Sequence, residues 1–447
     1  MIKSIHFIDF RCFQNFSMEL KPGINLLIGD NASGKTSVLK GCKYILSSFF
    51  AGFSDENTRW ICPEMSDFHG QIVDGNVLSE NPLQISFSFC SDTLSQLNGQ
   101  EFVFEDLLLK KVSRKKNSRP LTSGIKKYKD YSSQLQKSLY QQAGNEMLRS
   151  CSLPLFACFS TEDIHSVRKL DKEKFTKYEQ KHSFGYYECL EGDGFFPYWK
   201  QRLLVLQEGN KLTHEINAVR RAIQNVLGPE GCNVIQDISI RPNQKSIYYI
   251  LTDGREVEAA QLSDGYRRLV NIVTDIAIRC ALLNHNVPNF NPLTDTSGTV
   301  LIDEIDMHLH PSMQSKVLQS LRNAFPKIQF IAATHAPMVM TGIENNENNA
   351  VFKLDYSSDV GYGISEVSTF GLDASTITEL VLGQVPRDRG IQEELSRLFA
   401  SIDEERIEDA RQLLSALRQR FQEDYLPDLE RAEMMLNFQM IDDDKNN

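Results

Sequence analysis

The chain has 447 residues, 41% apolar and 24% charged, which places it among globular proteins of one large or two ordinary domains. Lys and Arg number 48 against 59 Asp and Glu, a net charge of −11 that argues against a wholly basic nucleic-acid coat. No apolar run reaches the roughly 18 residues of a bilayer span. Asp9 and Arg11 interrupt the apolar start, and nine cysteines lack CxxC spacing, so reduced thiols, no membrane segment and a cytoplasmic location are expected.

Residues 1–109 open with an apolar-rich run holding Ile5, Phe7 and Phe10, then the compact strand INLLI at 24–28. Val38, Leu39, Cys42, Ile45 and Leu46 recur afterwards at helical spacing. Between strand and helix stands Gly29-Asp30-Asn31-Ala32-Ser33-Gly34-Lys35-Thr36, followed by Ser37, which matches GxxxxGK[ST]. The glycines let backbone N–H groups curl around phosphate oxygens at a helix N-terminus, where the dipole favours negative charge. Lys35 would reach the β- and γ-phosphates and the Thr36 hydroxyl would ligate Mg²⁺, so ATP and Mg²⁺ are the expected ligands.

LQISFSFC at 83–90 alternates as a half-exposed strand does. Residues 110–129 carry nine Lys or Arg and no acid, and 110–150 reads as an exposed basic insertion. It is either a solvated loop or a place where Lys110, Lys111, Arg114, Lys115, Lys116, Arg119, Lys126, Lys127 and Lys129 attract nucleic acid, with Tyr128 and Tyr131 stacking on bases. Residues 151–260 offer a strand at 154–160, one or two helices across 200–227, and a hairpin turning at Asp253-Gly254.

From 261 to 385 helix and strand alternate, the pattern of a largely parallel α/β sheet. Val300 to Ile302 delivers Asp303 and Glu304 at a strand's carboxyl end, where such sheets bind ligands. Asp303 would hold Mg²⁺ and Glu304 would polarise the attacking water as general base. Alone, such a pair could equally be a solvated strand end or a helix cap. FIAATHAPM ends a second strand in Thr334 and His335, an imidazole able to contact a γ-phosphate or the water, unless it is a satisfied core histidine. His308 and His310 read as loop residues, since no third metal ligand accompanies them. Ser263 suits the N-cap of a helix whose Leu269, Ile272, Val273 and Ile276 share a face.

Residues 386–447 read as helical, with a terminal IDDDKNN tail. Twelve acids against six Arg in 391–440 accompany three apolar stripes, led by Leu395 and Leu398, by Leu414 and Leu417, and by Leu429 and Leu436. The stripes could pack within the chain's own domain or form a docking arm.

Taken together, the phosphate loop, Asp303-Glu304, His335 and Ser263-Asp264-Gly265 resemble ABC-type ATPases, and the motif spacing resembles the RecF- and SMC-like branch. The implied fold is an α/β P-loop ABC-type ATPase head (RecF/SMC-like) with a helical insertion and a helical C-terminal extension. In that family the signature Ser and Gly, here Ser263 and Gly265, cap the γ-phosphate held by the other protomer, which implies a head-to-tail dimer sandwiching two ATP. LPLFACFSTE, FGYYECLEGD, VLIDEIDMHLHP and EDYLPDLERAEMML narrow the resemblance to the ATPase subunit of Septu anti-phage systems, also found beside some retrons. That family pairs its ATPase with a separate HNH nuclease, which implies a nuclease partner docked through 391–440 and no intrinsic nuclease. The alternative is a RecF-like repair ATPase acting directly on DNA. Ser-Asp-Gly-Tyr replaces the commoner Ser-Gly-Gly-Gln, and Gln71 is the candidate for the family's Q-loop glutamine.

Overall fold

The computed structural model describes every residue except 71, 74–75, 78–80, 91–95, 98–99, 116–117, 142–150, 161–180, 192–195, 209–213, 360, 385–386, 405, 422–425 and 447. Gln71 therefore lies outside the described residues, as does most of the charged stretch before 182. Two compact units divide the chain, Met1–Ala374 and Ser375–Asn447.

The first unit is organised by a six-stranded sheet in the order Leu155–Phe159, Gly298–Ile302, Ile328–Ala333, Ile24–Ile28, Ala350–Ser357, Gly361–Val367. The first five strands run parallel and the last antiparallel. INLLI, GTVLI and IQFIAA are buried at every position, as strands covered on both faces must be. In register Leu27 faces Ala333 and Ile302 faces Ala332, so the phosphate loop, Asp303 and Thr334 leave the sheet at one edge.

A second, antiparallel sheet (Phe13–Glu19, Ile2–Phe10, Leu83–Phe89, Leu107–Lys111) is pinned to the first by Gln329. That buried amide accepts from Ile2 N at 2.9 Å and from the Thr299 hydroxyl at 3.0 Å, and it donates to Ile2 O and Lys21 O, both at 2.8 Å. Strand Leu107–Lys111 corrects the reading of 110–129 as wholly exposed. Lys111 is 1% exposed and donates to Pro63 O, while Tyr128 (0%) and Tyr131 (4%) pack in an aromatic cluster with Phe89 and Phe104. Neither ring can stack on a base. The hairpin at Asp253-Gly254 is present, with Gly254 at φ 85°, and 196–227 forms two helices, Phe196–Glu208 and His214–Leu227.

Helix Asp264–Asn284 runs through the unit with its apolar face fully buried. Its one buried ion pair is completely satisfied: Arg279 donates to Asp275 at 2.7 Å and to Gly185 O and Tyr187 O, and the Trp199 indole donates to Asp275 at 2.6 Å. Full satisfaction offsets the desolvation of the two charges and ties Gly185, Tyr187 and Trp199 to the helix.

In the second unit, helices Arg389–Asp403, Ile407–Phe421 and Pro427–Asn446 bury the three apolar stripes against one another. Leu398, Ile402, Ala410 and Ala432 are each 0% exposed. Among the described residues the stripes thus form this unit's own core, and the last helix runs to Asn446, through most of the residues read as a tail.

Candidate functional site

The phosphate loop is shaped by three consecutive demands on the backbone. Gly29 (φ 137°), Ala32 (φ 65°) and Gly34 (φ 101°) occupy the left-handed region, which costs glycine little. A Cβ on Gly29 would stand 2.3 Å from Leu354 O, and one on Gly34 would stand 2.7 Å from the Phe13 ring. Gly34 then caps helix Lys35–Ser47, whose N-terminal N–H groups face the loop's concavity. The Lys35 ammonium curls back to donate to Gly29 O and Asp30 O, both at 2.8 Å, and to Ser33 Oγ at 3.3 Å. Burial pushes this amine down to about 8, against the opposing pull of Asp303, Asp30 and Glu304.

Across the loop, the Thr36 hydroxyl donates to the Asp303 carboxylate at 3.2 Å. Burial raises the Asp303 carboxyl above its ordinary value, and the Thr36 bond opposes that shift. A desolvated carboxylate beside a hydroxyl is an oxygen-only donor pair and suits a hard divalent cation such as Mg²⁺. Glu304 follows in the left-handed region at φ 46°, as does His308 at φ 61°, conformations that carry strain for residues with a Cβ. Arg268 holds that turn: its guanidinium donates to Glu304 O at 2.7 Å and to Asp303 O at 2.5 Å. Thr334 donates to Asp306 and accepts from Ala336 N, bracketing His335, whose ring is exposed. Burial and then the Lys35 charge lower the His335 imidazole below its usual value.

The sequence-derived residues fall into two groups. Lys35, Thr36, Asp303, Glu304 and His335 share one electrostatic neighbourhood. Ser263 stands apart from them, exposed, accepting from Tyr266 N at 3.4 Å as the helix cap. Gly265 is buried, and a Cβ there would stand 2.0 Å from His308 O, so the helix start packs directly on the turn after the acids. Ser37 accepts from Arg11 Nε at 3.0 Å, and Arg11 also pairs with the fully buried Asp67 at 3.1 Å. Lys40 and Tyr44 bind the same carboxylate, and that set, Tyr44 first, holds Asp67 below the usual carboxylate range against its burial. His310 caps the turn Pro311–Gln314 by accepting from Ser312 N.

Arg268 and the Arg11–Asp67 pair were not singled out from the sequence. Arg268 had a signal: it stands three residues after Gly265 and four before Ile272, a cation on the buried stripe of the helix. Asp67 had none, because its partners come from three separate segments.

A glycine loop leaving a parallel strand, a lysine folded into it and a hydroxyl–carboxylate pair beside it define a P-loop ATPase head. A family profile described as "AAA domain" matches residues 4–247, and one described as "AAA domain, putative AbiEii toxin, Type IV TA system" matches 156–341. The chain belongs to the AAA domain family. It is 25% identical over 404 residues to the Retron Vc95 probable ATPase of Vibrio cholerae serotype O1 biovar El Tor, covering 79% of this chain and 74% of that one. A Septu protein PtuA from Bacillus thuringiensis is 23% identical, covering 85% and 83%. Another from Bacillus mycoides (strain KBAB4) is 31% identical over 40% of this chain but only 24% of its own length. Among solved structures, an SmcHead bound to the C-winged helix domain of ScpA aligns at TM-score 0.45 and 13% identity, covering 82% of this chain and 98% of that one. The Septu and retron resemblance read from the sequence is thus met by relatives of those names along most of the chain. Among the described residues no helix is long and apolar enough to cross a membrane.

Proposed function

We propose that this chain is the ATP-hydrolysing subunit of an anti-phage defence complex and that its nucleotide state controls a partner HNH nuclease. The hydrogen bond between Thr36 and Asp303 carries the ATPase part, because it joins the two oxygen donors a nucleotide-bound cation needs. Alignment with retron and Septu ATPases over 79% and 85% of the chain supports the defence setting.

In this reading Lys35 and the loop N–H groups from Asn31 to Ser37 hold the β- and γ-phosphates. Thr36 and Asp303 hold Mg²⁺, which neutralises charge on the phosphoryl oxygens. Glu304 takes the proton of the attacking water, and neutral His335 orients that water or the γ-phosphate. Exposed Ser263 meets the γ-phosphate of a second copy, so two copies close over two ATP. Gly265 shapes that surface by packing rather than by contact, since its only side-chain direction is filled by His308 O.

Because the stripes of 391–440 are buried against each other, docking of the nuclease there must use the polar faces, and an acidic excess fits a basic partner. Among the described residues of 110–129, direct nucleic-acid contact would draw on salt-dependent attraction by exposed Lys115, Arg119, Lys126 and Lys127.

The test is twofold. Lys35→Ala should abolish ATP binding, and undiminished affinity would reject the ATPase assignment. The full chain coexpressed with an HNH protein encoded beside it should copurify with it, and separate elution of the two would reject the nuclease partnership.

A further inference from the structure

Most large apolar side chains exposed on the first unit are scattered, but Tyr356, 64% exposed, stands at the edge that carries the phosphate loop. Strand Ala350–Ser357 runs parallel to Ile24–Ile28, pairing Lys353 with Ile28, and Leu354 O touches the face of Gly29 where a side chain would be. Tyr356 lies two residues beyond, outside the loop's first turn. Its cross-strand partner is Tyr362, with ring centroids 4.9 Å apart and planes tilted by 54°.

The pair is anchored to the phosphate loop from the other side as well. Tyr362 meets Phe13 edge-on at 5.3 Å, and Phe13 is the ring that closes on Gly34. Cys12, next to Phe13 in sequence, also lies against this loop, its Sγ 3.4 Å from where a Cβ on Gly34 would stand. A continuous aromatic path therefore runs from Gly34 outward to one solvent-facing ring. Nothing in the packing of the sheet requires a tyrosine at position 356, since the strand is already exposed from Asp355 onward.

We propose that Tyr356, held by Tyr362, is the platform on which the nucleobase of the bound nucleotide stacks, and so a residue that selects a purine nucleoside triphosphate over bare polyphosphate. Burying one face of a planar base on an exposed ring gains affinity without demanding a hydrogen-bond pattern, and the phenol edge adds polar contact at the rim. Tyr362 is the positioning residue: its cross-strand pairing with Tyr356 and its edge contact with Phe13 set the distance between platform and phosphate loop.

This inference rests on nucleotide binding by the phosphate loop, and the experiment separates the two. Affinities of the full chain for Mg-ATP and for Mg-tripolyphosphate are measured side by side in the wild type, Tyr356→Ala and Tyr356→Phe. The expected result is about a tenfold or greater loss of ATP affinity in Tyr356→Ala, unchanged tripolyphosphate affinity, and near-complete retention of both in Tyr356→Phe. Wild-type ATP affinity in Tyr356→Ala overturns the platform and leaves the phosphate loop standing. Equal loss for both ligands also overturns it, because the residue would then be acting on the loop. A wild type that binds neither ligand removes both readings.

Discussion

Thr36 and Asp303 are 267 residues apart in sequence and 3.2 Å apart in space. The bond exists because two buried parallel strands, each next to Ile328–Ala333, release their loops at the same edge. Asp303 sits there at 9% exposure with its carboxyl raised by burial, so it gains most from a neighbouring cation. Asp303→Asn should raise the Mg²⁺ concentration for half-maximal hydrolysis by at least the roughly 10–100-fold that loss of an outer-shell partner costs a metal site. A Mg²⁺ titration of ATPase rate checks it, and an unchanged midpoint would remove Asp303 from the metal site.

Glu304→Gln separates binding from chemistry. The amide keeps size and hydrogen bonding but cannot accept a proton, so kcat should fall by about 10²–10⁴ while ATP affinity stays level. Single-turnover hydrolysis beside equilibrium ATP binding reads both quantities. On the proposed two-copy mechanism, the same variant should run as a larger species with ATP than without it in sedimentation. A monomer under both conditions would count against the two-copy site.

Arg268 offers a sharper probe of how Glu304, the proposed base, is aimed. Its two donors hold consecutive carbonyls of a turn whose left-handed residue is Glu304 itself. Arg268→Ala should leave ATP affinity unchanged and lower kcat about a hundredfold, the scale of an ångström-level misplacement. Arg268→Lys should recover little, because an ammonium cannot span two carbonyls as the planar fork does. Parallel losses in affinity and kcat would mean that Arg268 supports the fold in general rather than Glu304.

What the sequence disclosed, and what it hid, follows from how far apart the partners are. The phosphate loop and the Asp303-Glu304 strand end are contiguous motifs flanked by their own elements, so their placement at strand ends was legible. The insertion of Ile24–Ile28 into the six-strand order and three of the four bonds of Gln329 depend on segments hundreds of residues apart, and no local pattern signals them. The basic run 110–129 misled for a different reason. Lys111 falls on the buried side of a strand whose alternate residues are half-buried, and its long stem lets a cation end inside the protein on Pro63 O. Composition cannot register that alternation.

The ammonium of Lys35 gives ATP binding a pH dependence of definite sign. Its value is depressed to about 8 by burial, so the side chain is charged below that pH and increasingly neutral above it. Phosphate binding needs the charged form. Affinity should therefore be constant below about pH 7 and weaken as pH rises through 8, approaching about tenfold per further unit. Measuring ATP dissociation constants from pH 6.5 to 9.5 checks this. A flat profile across pH 8 would mean that the amine keeps its ordinary value.

The helical unit Ser375–Asn447 should melt on its own terms. Leu398 and Ile402 are 0% exposed and face Ala410, Leu414 and Leu436 from the neighbouring helices, so the unit's stability rests on this small cluster. Leu398→Ala removes three carbons from a fully buried site, at a cost of about 2–5 kcal/mol. A unit of this size has little more than that in reserve. Hydrogen exchange should show protection lost across Arg389–Asp403 and Ile407–Phe421, with Lys35–Ser47 as protected as before and ATP affinity unaltered. Loss of ATP binding together with helix protection would show that the phosphate loop draws its order from these helices, contrary to a core in the first unit that already closes around Gln329 and Arg279.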